Sequence, residues 1–201
     1  MTDIAAQPKR PAYLWLTLIV MWVLGVHSFS EGYAIVSIAR SPFAMESSLL
    51  DEGVTQVVRL AFADAIARDV GRLLPLGVAQ LVLGGVLVAV STKALLWRRA
   101  SPRFALQVIA ANAIVLVVGY VLQEPVRQAI VEALLKSELP RRPAGTSAEE
   151  IAPVLRAAWW WSFRLKLLMQ LVALGLSGLA LTRPSAREYL ETPPLAQEDE
   201  G

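Results

Sequence analysis

Four apolar runs, residues 12–29, 73–96, 104–122 and 159–182, constrain this chain more than any other feature of it. A hydrocarbon core of about 30 Å takes roughly 20 residues of helix to cross. Inside it every backbone N–H and C=O must bond within its own segment, which leaves the α-helix for separated runs of this kind. The expected fold class is an all-α integral membrane protein, a single domain over residues 1–201, with four transmembrane helices in a bundle. Composition agrees, because 55% of the 201 residues are hydrophobic, more than a soluble domain can hide from water.

Orientation follows from the basic residues of the short connections, which stay in the cytoplasm. The connection 91–103 carries Lys93, Arg98, Arg99 and Arg103 and no acid. Lys9 and Arg10 before the first run, and Arg183 and Arg187 after the last, fall on the same side of an even number of crossings. Both termini are thus expected in the cytoplasm, with segments 30–72 and 123–158 facing outward. A rival reading makes the first run a cleaved leader, since a basic pair precedes it and small residues, "SFS", follow. Much alanine, leucine and arginine with little lysine suggests a GC-rich bacterial genome, and so an inner membrane.

Both outward segments carry helical patterning. Val54, Val57, Val58, Ala61, Phe62 and Ala65 recur at helical spacing opposite Gln56, Arg59, Asp64 and Arg68, which reads as an amphipathic helix. "PVRQAIVEALLKSEL" from Pro125 reads as another. Thr146 with Glu149 offers a capping box, so a helix is expected to start there and run through Pro153 into the fourth span. Residues 183–201, acidic towards the end, are expected to form a disordered cytoplasmic tail. The order span, amphipathic helix, span occurs twice, which suggests a 2+2 parallel internal repeat. "QLVLGGVLVAVST" from Gln80 and "QLVALGLSGLALT" from Gln170 agree at 5 of 13 positions.

Polar side chains within spans must each find a partner or reach water, so they are the first candidates for function. They are His27, Gln80, Asn112, Lys166 and Gln170, as ligand contacts or interhelical bonds, and Arg164 with Arg72 as headgroup-binding cations. Helical spacing puts Ser162, Lys166, Gln170, Ala173 and Ser177 on one stripe and Arg164 on another face. Gly77, Gln80, Gly84 and Ser91 form a small, polar stripe in the second span, and Asn112, Leu116, Gly119 and Gln123 one in the third. Small residues let such faces approach closely and amides bond across them. The bland alternative for Lys166 and Arg164 is that their long stems snorkel to headgroups beside the Trp159–Trp161 belt. His27, a lone histidine read without neighbouring acids, is expected to be an interfacial residue and not a metal ligand.

No catalytic constellation accompanies these residues. The string "GLSG" at Gly175 resembles the serine motif of rhomboid proteases, but no histidine follows it, and His27 belongs to the opposite end of its span. There is no cysteine, which removes disulfides and thiol chemistry. A net charge of +2 gives no footprint for nucleic acid. No cofactor or metal is expected; membrane lipid, and a protein partner or second copy, are. The leading functional expectation is a non-enzymatic subunit or scaffold that binds a partner through its outward helices. The alternative is a small transporter or lipid-handling protein that accepts an anionic headgroup or solute at the outer face.

Overall fold

The computed structural model describes residues 11–40, 54–97, 101–138 and 148–191. They form seven helices and, among the described residues, no strand: α1 (Ala12–Arg40), α2 (Val54–Arg68), α3 (Val70–Trp97), α4 (Pro102–Leu122), α5 (Glu124–Glu138), α6 (Ala148–Thr182) and α7 (Pro184–Glu191). Four of these, α1, α3, α4 and α6, are long and apolar enough to cross a membrane. Each packs on two of the others: α1 on α3, α3 on α4, α4 on α6 and α6 on α1. The start of α4 is set locally. Ser101 accepts a hydrogen bond from the Phe104 amide, and Pro102 opens the first turn, where its missing N–H leaves nothing unbonded.

Two of the four helices outrun the expected spans. With 29 residues α1 is about 43 Å long at 1.5 Å per residue, well over the 30 Å of a bilayer core. The run 12–29 is only its first part: Ile35 and Ile38 are buried beyond it, in a cluster with residues of α2 and α3. Likewise α6 begins at Ala148, well before the apolar span at 159, and runs through Pro153 into it as expected. The proposed cap at Thr146 lies outside the described residues. The segment 30–72 is therefore not a plain loop but carries the end of α1, all of α2 and the start of α3.

Apolar side chains gather at two levels. One cluster joins Leu14, Leu18 and Met21 of α1 to Leu87, Val108, Ile109, Leu174 and Leu181, and is closed by Ala186, Tyr189 and Leu190 of α7. Residues 184–191, within the stretch expected to be a disordered tail, are thus a helix with a buried face. Tyr13 and Ser185 share a hydrogen bond of 2.7 Å, and the Arg183 guanidinium stands 5.0 Å over the Tyr13 ring. Tyr189→Ala should lower stability by about 2 kcal/mol, read as a lower melting temperature of the detergent-solubilised chain. The second cluster, Ile35, Ile38, Ala63, Ala65, Ile66, Leu73, Leu76 and Val126, ties α2 and α5 across the opposite end. The inward face of α2 is rotated from the expected one, for Val57 is 43% exposed whereas Ala63 and Ile66 are buried.

Between the two levels, α1 and α3 meet through glycine. A Cβ on Gly32 would lie 2.5 Å from the Gly77 carbonyl oxygen and the Leu81 amide nitrogen. One on Gly84 would lie 2.5 Å from the Phe29 nitrogen. Backbones this close exclude side chains between them. The Ser28 hydroxyl donates to the Gln80 carbonyl oxygen across the same seam, at 3.4 Å. On the α4 and α6 side no such seam is built, and there the polar residues collect.

A candidate anion-binding cavity

At the level of the glycine seam a cavity of about 180 Å³ opens among α1, α3, α4, α5 and α6, under α2. It holds the volume of about six waters. Its polar lining is Glu31, Gln80, Gln123, Arg127, Lys166 and Gln170; its apolar lining includes Phe62, Leu116, Tyr120 and Phe163. Each helix delivers its residue for a local reason. Gly119 of α4 faces Gln80 and leaves room for its amide, with Nε2 only 3.4 Å from where a Cβ would be. Along α6 exposure falls from Ser162 and Lys166 through Gln170 to the buried Ser177, so the stripe is least covered at its Trp159 end.

Lys166 Nζ donates to Glu31 Oε1 at 2.6 Å and so links α6 to α1. His27 Nε2 lies 3.2 Å from the same oxygen but off the line a hydrogen bond would take. The Lys166 side chain is 49% exposed and that of Glu31 32%, so this pair sits at the rim. Arg127 is deeper, with only 7% of its surface exposed. Its guanidinium carbon stands 3.9 Å over the Tyr120 ring and 5.8 Å from the Trp160 ring. Its Nε has no hydrogen-bond partner, and among the described residues no carboxylate pairs with it. Burial pulls its pKa down from the usual arginine value, yet a guanidinium remains charged at any physiological pH. Gln80 is 2% exposed, and its Oε1 is unbonded too.

Of the residues singled out from the sequence, the structure brings Lys166, Gln80 and Gln170 into the cavity and His27 to its edge. Asn112 lies outside it: Nδ2 donates to Leu83 O of α3 at 3.3 Å and to Val108 O of its own helix at 3.0 Å. That is an interhelical bond. Arg164 points elsewhere, 5.5 Å over the Trp161 ring, along a shallow groove with Glu124, Ala157 and Trp160. Arg72 is exposed in the first turn of α3 and does not reach the cavity. Ser177 donates to Ala173 O of its own helix, as hydroxyls in apolar helices do.

Glu31, Tyr120 and Arg127 are cavity residues that lay outside those candidates. His27 is not without a neighbouring acid: Glu31 is one helical turn on, at i+4, once α1 is continued past residue 29. Arg127 carries no comparable signal, since a cation in an amphipathic helix reads as solvated. Among the described residues no group of three His, Asp or Glu side chains is placed to hold a metal ion. No family model, curated protein or solved structure matches the chain.

Proposed function

We propose that this protein is a non-enzymatic membrane protein that receives an anionic headgroup or solute at its outer face, as a small transporter or lipid-handling protein does. One observation carries the reading: Arg127 is a buried cation that forms no ion pair among the described residues, in a cavity whose second cation, Lys166, is balanced by Glu31. The lining itself has two cations and one carboxylate, and Glu124, one turn before Arg127, favours its charge from a distance without pairing with it. A buried charge outside any ion pair is expensive, and an anion in the cavity would offset it.

The same proposal sets the protein in a bacterial inner membrane with both termini in the cytoplasm. The acid-free connection 91–103, with its four cations, supports that orientation, and puts the cavity and the α2–α5 pair at the outer end. The ring of contacts among α1, α3, α4 and α6 supports a four-helix bundle. Exchanging α1–α3 for α4–α6 maps the α1·α6 contact onto α4·α3 and α2·α5 onto itself, as a 2+2 repeat would, whereas the glycine seam between α1 and α3 has no counterpart between α4 and α6. Gln80 and Gln170, matched in that repeat, line one cavity.

The test is ligand retention in native lipid discs. Lys166→Ala and Gln170→Leu should each reduce a retained anionic ligand about tenfold, the worth of one or two charge-assisted hydrogen bonds. Arg164→Ala, outside the cavity, should leave retention within about twofold. Equal, mild effects from all three would overturn the reading. A second reading, a subunit or scaffold of a membrane assembly, is favoured by Val57, Leu60 and Val154, exposed apolar residues on segments beyond the spans. Crosslinks from α2 or α5 to another protein would support it.

A further inference from the structure

We propose that the anion taken by this cavity is a phosphate ester, bound between Arg127 and Lys166, and that Glu31 is its built-in competitor for Lys166. The proposal rests on the anion-receiving reading above. The lining is rich in donors that come from different helices: the Arg127 guanidinium from α5, the Lys166 ammonium and Gln170 amide from α6, the Gln80 amide from α3. A planar carboxylate presents two oxygens in one plane, whereas a tetrahedral phosphate presents three or four in separate directions, which suits donors spread around it. Tyr120 covers a face of the Arg127 guanidinium and Trp160 stands near it. The ligand therefore meets the edge, where the N–H bonds point.

About 180 Å³ admits a phosphate headgroup. A phosphate ester can come from a lipid or from a soluble compound, and both present the same chemistry to the site.

Glu31 then acquires a role beyond structure. Its Oε1 holds Lys166 at 2.6 Å while lining the same cavity. A phosphate that takes the ammonium must displace this carboxylate and bind beside its charge, which opposes binding. Removing the charge frees Lys166 and raises the site's net charge by one. Glu31 thus sets the affinity low enough for release.

The full chain in phosphatidylcholine discs, observed by native mass spectrometry, tests this with inorganic phosphate and with short-chain phosphatidic acid as probes. Glu31→Gln should bind either probe about tenfold more tightly than the wild type, a gain of about 1.4 kcal/mol. Binding of phosphatidic acid alone assigns a lipid source; equal binding of both assigns the phosphate group itself. If Glu31→Gln does not fold, Lys166→Gln and Glu31→Gln/Lys166→Gln replace it: the double variant should recover binding that Lys166→Gln loses. Wild-type binding that Arg127→Met abolishes, with Glu31→Gln no tighter or the double variant unrecovered, overturns the competitor role and leaves the anion-receiving reading standing. Retention of carboxylate amphiphiles with neither phosphate probe bound overturns the phosphate assignment. No anion bound at all, or binding indifferent to Arg127→Met, overturns the reading beneath both.

Discussion

Gly32→Leu is expected to cost more than about 3 kcal/mol and to leave little folded protein after extraction. Overpacked cores usually relax by moving a side chain. Here the atoms that a Cβ on Gly32 would meet at 2.5 Å are the Gly77 carbonyl and the Leu81 amide. Backbone in a helix cannot move aside by itself, so α1 and α3 must separate. Lipid offers such helices no hydrophobic drive to stay together, and close packing carries the association instead. Gly84→Leu should behave alike, with Phe29 N and Gly25 O at 2.5 and 2.8 Å. Gly175→Leu is the control: nothing lies within 4 Å of its Cβ position, and its melting temperature should match that of the wild type. Monodisperse yield in detergent and thermal unfolding measure all three. Equal losses at Gly32 and Gly175 would mean that glycine matters for folding in general and not for this seam.

The seam shows what a sequence of this kind discloses. The four long apolar helices were legible because the membrane demands length and apolarity from each helix separately. The stripe Gly77, Gln80, Gly84, Ser91 was legible too, and all four residues are buried. That they meet Gly25, Ser28 and Gly32 of α1, and not another span, depends on which helices become neighbours. Hydropathy ended the first span at residue 29 because Ser30, Glu31 and Gly32 interrupt the apolar run. In the structure these residues continue the helix, Gly32 as a contact with α3 and Glu31 as the partner of Lys166.

The cavity was legible by halves. Lys166, Gln80 and Gln170 declare themselves because a polar group in an apolar run has no ordinary reason to be there. Arg127 does not, because in "PVRQAIVEALLKSEL" a cation is unremarkable and its burial arises from Tyr120 of α4 and Trp160 of α6. Arg164 and Lys166, two residues apart, were separable by helical spacing alone, and the structure sends them to different grooves.

Arg127→Met should abolish ligand binding and at the same time stabilise the protein. The two effects have one cause. Arg127 is a charge held at 7% exposure with no carboxylate to pair with, and the desolvation of such a group amounts to several kcal/mol. The Tyr120 and Trp160 rings return part of this, about 0.5–2 kcal/mol each. Methionine matches the length of the aliphatic stem, fills the space against both rings and leaves nothing charged behind. A net gain of about 1–2 kcal/mol follows, seen as a higher melting temperature of the ligand-free chain. Binding of the anion, in contrast, should fall by about 100-fold or more, since the deepest positive charge and its edge donors are gone. Stability given up to hold a group ready for a ligand is the usual signature of a binding site. A destabilised Arg127→Met variant would instead mark the guanidinium as a structural tie between α4, α5 and α6.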